Sequence, residues 1–400
     1  MRYTANERRV LALTGVAHFS AHFFELMFPT LAVALARQTG VPLAQVLGWS
    51  FAGYLLFGLG ALPAGLLTDR IGGRRMLTIG LAGMGGAALT AGFVSPGPSL
   101  VVLLAVIGLC ASIYHPAGMS LISHAVRSRG RALGLNGIFG NVGIALTPIV
   151  TASLASRLGW QRTYVVVGAA ACALAVVFAA VSIEERPLPG TDAAQDVGGS
   201  PVGFSLFALL CVAAALGGIS YRANTVAQPA YFAERVTLLG YGATTSVVYL
   251  TGIAGQYLGG VLADRHDLRW LYLGFHALSI PALWLVSQTT ELALVASSTL
   301  FLFFSLGMQP VENSLFARFT PPRWRATGYG IKFVMTFGVG SIGVRLVQWA
   351  EAGGDLSAVF RSLIGVVSLL VATVALLIWR TAGRGVRNAT SVELAVGDLA

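Results

Sequence analysis

Gly65-Leu-Leu-Thr-Asp69-Arg70 returns later in the chain as Gly260-Val-Leu-Ala-Asp264-Arg265. A second pair keeps nearly the same spacing. Pro116-x-x-x-Ser120-Leu121 with Arg131-Ala-x-Gly134 is matched by Pro310-x-x-x-Ser314-Leu315 with Arg325-Ala-x-Gly328. Each pair lies roughly 195 residues apart, close to half of the 400-residue chain, so the sequence holds two copies of one large unit, far longer than a solenoid repeat.

The solvent for these copies follows from composition. The chain is 56% hydrophobic and 10% charged, whereas a soluble domain carries about 25% charged residues. Apolar stretches fall at 10–36, 44–68, 76–94, 98–125, 132–158, 160–183, 203–233, 241–263, 269–288, 291–317, 326–350 and 355–379. Each is long enough for a hydrocarbon core that needs about 20 helical residues. The expected fold is an all-α integral membrane protein, with twelve transmembrane helices in two pseudo-symmetric six-helix bundles. The expected units are an N-terminal bundle over 1–183, a linker over 184–201, a C-terminal bundle over 202–380 and a tail over 381–400. The 49 glycines suit close helix packing in lipid.

Charge sets the orientation. With twelve spans and the N-terminus inside, 18 arginines fall on the cytoplasmic side and five on the outer side (Arg37, Arg157, Arg162, Arg235 and Arg361). Both termini are therefore expected in the cytoplasm, in a bacterial-type inner membrane. This asymmetry accounts for the formal charge of +10, so a basic surface facing anionic lipid is expected and no nucleic-acid partner. The first span contains Glu25 and has no cleavage site, so it reads as a retained span and not a signal peptide. Cys110, Cys172 and Cys211 show no paired spacing.

Ionisable residues inside spans cost roughly 2.5 kcal/mol or more near the membrane centre, which makes each a candidate for function. His18, His22 and Glu25 stand at i, i+4 and i+7, on one face of span 1. Such a face suits a proton, a cation or polar substrate groups. In span 4, Tyr114-His115-Pro116 lies near mid-membrane, where Pro116 weakens the helix and turns His115 toward a cavity. Glu312 and Lys332, the single lysine, lie at similar depth in consecutive spans, about 9 Å inside the boundary at 1.5 Å per residue, and are expected to pair. Aligning Pro29 with Pro229 sets His22 beside Arg222, whose guanidinium would suit an anionic substrate group. Asn136, Asn141, Asn224, Gln228, Gln309 and Asn313 are further polar span residues, expected to line a cavity or bond between helices.

The loop between spans 2 and 3 reads Gly65-x-x-x-Asp69-Arg70-x-Gly72-x-Arg74-Arg75. Gly65 permits tight packing, Gly72 a sharp turn, and Asp69 is placed to latch the two bundles against a helix N-terminus or an arginine. Asp264 and Arg265 are its counterparts in the second half, and these residues form the expected gating set. On this loop, the twelve spans and the half-chain repeat, the chain resembles the major facilitator superfamily. Gly108-Leu-Cys-Ala-Ser-Ile-Tyr114-His115-Pro116 and Arg131-Ala-Leu-Gly-Leu-Asn136-Gly-Ile-Phe139-Gly140-Asn141-Val-Gly143 look like the branch of fosmidomycin-resistance exporters. It departs from the superfamily's drug antiporters in having Leu104 where many carry arginine, and Thr147 in place of glycine before Pro148.

The resemblance implies a monomeric secondary transporter working by alternating access. It implies a proton gradient as driving force, no cofactor, and a small polar or amphiphilic organic compound, drug or metabolite, as exported substrate. Transition-metal or metal-chelate efflux through His18, His22, Glu25 and His115 is the alternative, and a non-transporting membrane sensor a remote one. No enzyme is expected, since no His-Glu-x-x-His or nucleophile motif is present.

Overall fold

The structure is a computed structural model that describes residues 3–185, 204–320 and 325–382. Most of the expected linker and nearly all of the tail lie outside the described residues. Among the described residues every regular element is helical. In chain order they are α1 (Ala5–Thr39), α2 (Leu43–Gly48), α3 (Phe51–Leu59), α4 (Ala61–Ile71), α5 (Gly73–Ala91), α6 (Pro98–Ala111), α7 (Tyr114–Ala125) and α8 (Arg129–Ala180). The second half holds α9 (Phe204–Arg235), α10 (Tyr241–Ala263), α11 (Leu268–Gln288), α12 (Glu291–Gly307), α13 (Gln309–Phe319), α14 (Arg325–Phe333), α15 (Ile342–Ala352) and α16 (Ser357–Arg380).

These sixteen pieces make the twelve crossings. α8 is two spans joined at Gly159, whose φ of 81° is non-helical. α2 to α4 form span 2, bent by 46° before Ala61. α6 with α7 form span 4, and α12 with α13 form span 10. Both of these break just before the repeated prolines, Pro116 and Pro310, because proline supplies no N–H to the preceding turn. Span 11 runs from α14 into α15 through a π-helical turn at Val334–Gly338 and a 3₁₀ turn at Val339–Ser341.

The helix ends that carry the termini lie on one side of the bundle, here the terminus side, and the opposite side is the far side. At the far side the halves are closed on one another. The Ile149 N–H donates to Ser246 Oγ at 2.9 Å, and the Tyr241 hydroxyl reaches the Thr30 carbonyl at 3.5 Å. Near mid-depth, α3 of the first half packs on the π turn of span 11. A cavity of about 370 Å³ lies between the halves, lined by groups that include Met119, Leu133 and Tyr329, one to two turns from the terminus-side ends. The far side is thus sealed, and the cavity extends toward the terminus side.

Candidate functional site

Span 1 brings three of its expected residues together. α1 starts on a capping box, with the Glu7 N–H donating to Thr4 Oγ1 and the Thr4 N–H to Glu7 Oε2. This fixes the register in which His18, His22 and Glu25 share one face. His22 Nδ1 lies 2.6 Å from Glu25 Oε2. A carboxylate only accepts, so this nitrogen carries the hydrogen. Glu25 Oε1 accepts from Arg222 Nη2 of α9 at 2.6 Å, and Arg222 is only 1% exposed. The guanidinium lies 3.6 Å from the centre of the Tyr54 ring, whose hydroxyl donates to the Glu25 carbonyl. A buried ion pair therefore ties the first half to the second.

Arg222 does meet the span-1 face expected of it, where its partner is Glu25, and it is not among the residues that line the cavity. Two of its nitrogens, Nε and Nη1, have no partner among the described residues.

Toward the cavity the histidines form a ring cluster. His18 stacks on Tyr114 with centroids 4.3 Å apart, and His22 lies 4.9 Å from His18 and 5.6 Å from His115. His115 in turn stacks on Phe333 and Phe337 of span 11, at 5.0 and 5.7 Å. Asn136 of span 5 holds this cluster. Its Oδ1 accepts from the Tyr114 hydroxyl in a short bond and lies 3.0 Å from His18 Nδ1.

The expected pair in the second half is formed, with Lys332 Nζ 2.9 Å from Glu312 Oε1. Tyr272 of α11 donates to the other carboxylate oxygen at 2.6 Å, and Lys332 also donates to Asn313 Oδ1 in a short bond. His276 sits edge-on to Tyr272 at 4.7 Å. Sequence reasoning passed over Tyr272 and His276, although an ionisable histidine in an apolar span was itself the signal. It also passed over Gln256, which accepts from Asn141 and donates to Gln309, both at 2.7 Å, linking the halves.

The gating loop is arranged otherwise than expected. Asp69, Arg70 and Arg75 are exposed, and Asp69 makes no ion pair or hydrogen bond among the described residues, so the latch is not formed in this conformation. Toward that end Leu62 of α4 packs close to Gly330 of α14. Glu185 does what no sequence signal assigned to it. Its carboxylate accepts from the Gly73 and Arg74 N–H groups at 2.7 and 3.2 Å, capping α5. Gly72, at φ 91°, has no room for a side chain beside that carboxylate without strain. Arg74 donates to the Phe178 and Ala179 carbonyls at the end of α8. Gly65 packs near Pro116, and exposed Asp264 and Arg265 follow the end of α10.

Among the described residues, no group of three His, Cys, Asp or Glu side chains is arranged to hold a metal ion.

Residues 14–219 match the family model described as Major Facilitator Superfamily. The chain is 25% identical over 241 residues to the "Probable L-galactonate transporter" of Escherichia coli (strain K12), covering 55% of this chain and 52% of that protein. It is 29% identical over 130 residues to the "Methylenomycin A resistance protein" of Bacillus subtilis (strain 168), covering 31% of this chain and 28% of that one. The matched stretch thus spans about half of the first relative and less of the second. Among solved structures, a bacterial homolog of the human lysosomal transporter Spinster superposes with a TM-score of 0.72 at 15% identity. It covers 94% of this chain and 97% of that one.

Proposed function

The chain belongs to the Major Facilitator Superfamily, and from that premise we propose that it is a proton-coupled secondary transporter, in which Glu25 carries the proton and its bond to Arg222 couples it to alternating access. It is a multi-pass membrane transporter and not an enzyme. The single observation that carries the coupling is the buried Arg222–Glu25–His22 chain, which joins the two halves and borders the cavity.

Both Glu25 oxygens are taken while the far side is closed, one by Arg222 and one by His22. A proton then has no open oxygen to sit on. When the halves part at the far side, Arg222 leaves with α9 and Oε1 is free to take a proton from that side. Closing again returns Arg222 to Glu25 and displaces the proton, which leaves toward the cavity that His22 lines. Binding and conformation are thereby linked, as alternating access requires. The cycle moves protons from the far side to the terminus side. With both termini in the cytoplasm of an inner membrane, this is inward, and a small polar organic compound bound in the cavity moves outward. The resistance protein among the relatives supports export, and a single chain holds the whole cavity, in keeping with a monomer.

The test is flux in proteoliposomes under an imposed pH gradient, with a panel of metabolites, drugs and metal ions. Wild-type protein is expected to accelerate at least one organic substrate several-fold when the gradient is applied, and Glu25→Gln to lose that acceleration. Flux of every substrate indifferent to both changes ends the reading.

A further inference from the structure

The cavity's walls differ in what they have left to offer. Glu312 has both oxygens occupied, by Tyr272 and by Lys332. Lys332 has three N–H groups and uses two of them, on Glu312 and Asn313, among the described residues. Asn136 gives its oxygen to Tyr114 and His18, and its Nδ2, on a side chain only 4% exposed, has no partner. The buried His115 Nε2 and Thr336 Oγ1 are likewise unpartnered. Glu312, Lys332, Asn136, His115 and Thr336 all line the one cavity.

A buried N–H left without an acceptor is costly, so Lys332 and Asn136 are best matched by a molecule that brings acceptors. A cationic ligand meets an acid already saturated, whereas an anionic one meets an unsaturated ammonium and an amide donor. Arg222 does not compete for it, since it pairs with Glu25 and is not among the residues that line this cavity. The cavity, at about 370 Å³, falls in the range of about 300–1,000 Å³ usual for small-molecule sites.

We propose that the substrate is a small organic acid whose anionic head takes the place of Glu312 on Lys332, while its other oxygens accept from Asn136. This deepens the reading of the chain as a transporter and rests on it. The site is a competition, with the substrate anion and the Glu312 carboxylate sharing one ammonium. Removing the two partners therefore has opposite effects on binding, a result that a merely structural ion pair does not give.

The experiment measures binding to the purified full-length protein by thermal shift, using matched probes: gluconate, glucose and glucosamine, and benzoate, benzyl alcohol and benzylamine. An anionic member is expected to stabilise the protein and its neutral and cationic counterparts not to. Lys332→Gln is expected to abolish that shift, and Asn136→Ala to weaken binding about tenfold, the size of one hydrogen bond to a charged group. Glu312→Gln is expected to tighten it several-fold. Preference for an amine or a neutral probe, no binding of either acid, or loss of binding in Glu312→Gln overturns the proposal. Because Asn136→Ala leaves the ion pair intact, a misfolded Lys332 variant does not remove the test. Proton-driven flux of a neutral compound refutes the anion site and leaves the transporter reading standing. Anion binding with flux indifferent to the pH gradient does the reverse.

Discussion

Replacing Arg222 with methionine is expected to cost about 3–5 kcal/mol of stability, because it leaves Glu25 as an unpaired charge in the interior. Arg222 and Glu25 are 1% and 6% exposed. Tyr54 adds to the loss, since its ring carries the guanidinium and its hydroxyl binds the Glu25 carbonyl. The double variant Glu25→Gln with Arg222→Met removes both charges, and a neutral pair in the interior is close to neutral in cost or even stabilising. Thermal unfolding in detergent is expected to show the single variant strongly destabilised and the double variant restored. Transport behaves differently: both variants are expected to lose dependence on the pH gradient. A double variant that regains coupled transport removes the pair from the mechanism.

Gly58→Val is the second large effect. A Cβ on Gly58 would lie 2.1 Å from the Gly338 nitrogen and 2.5 Å from its Cα, at the seam where α3 meets the π turn of span 11. These belong to different halves, so a side chain there acts as a wedge between rigid bodies and not as a clash inside one. Overpacking costs about 1–3 kcal/mol, and a bias of that size shifts a two-state balance roughly 5- to 150-fold. The closed seam is expected to be disfavoured. A cysteine placed at Met119 in the cavity then reacts more slowly with a reagent added from the terminus side, and transport falls while folded yield is kept. Gly338→Ala is the control. Its Cβ would meet Leu59 Cδ2 at an ordinary 3.6 Å, and little change is expected.

Much of this architecture was legible because lipid imposes simple rules. A span must be long, apolar and helical, and Asp69 with Asp264 and Pro116 with Pro310 mark the two copies. The intramembrane cost of charge also pointed to His18, His22, Glu25, His115, Glu312 and Lys332, and these line or border one cavity in the structure. Partners were harder to read. Which carboxylate meets Arg222 depends on helix rotation, which period and spacing do not give. Glu185 gave no signal because its role depends on the chain returning, after span 6, to the start of α5. Span 11 reads as one apolar helix, yet the close approaches of Gly58 and Gly218 to its backbone accompany a π turn. The asymmetry between a saturated Glu312 and an unsaturated Lys332 exists only in three dimensions.

The most direct measurement is the distance between the far ends of α1 and α9, from spin labels at positions 37 and 234, as pH is lowered. Arg37 and Glu234 flank one small pocket at that end. Opening there frees a Glu25 oxygen for a proton, so lower pH is expected to populate a longer distance in the wild-type protein. Glu25→Gln, which has no charged bond to Arg222 to break, is expected to show that longer distance at every pH. A distance distribution unchanged by pH in the wild-type protein, and identical in Glu25→Gln, contradicts the claim that this buried pair couples protons to alternating access.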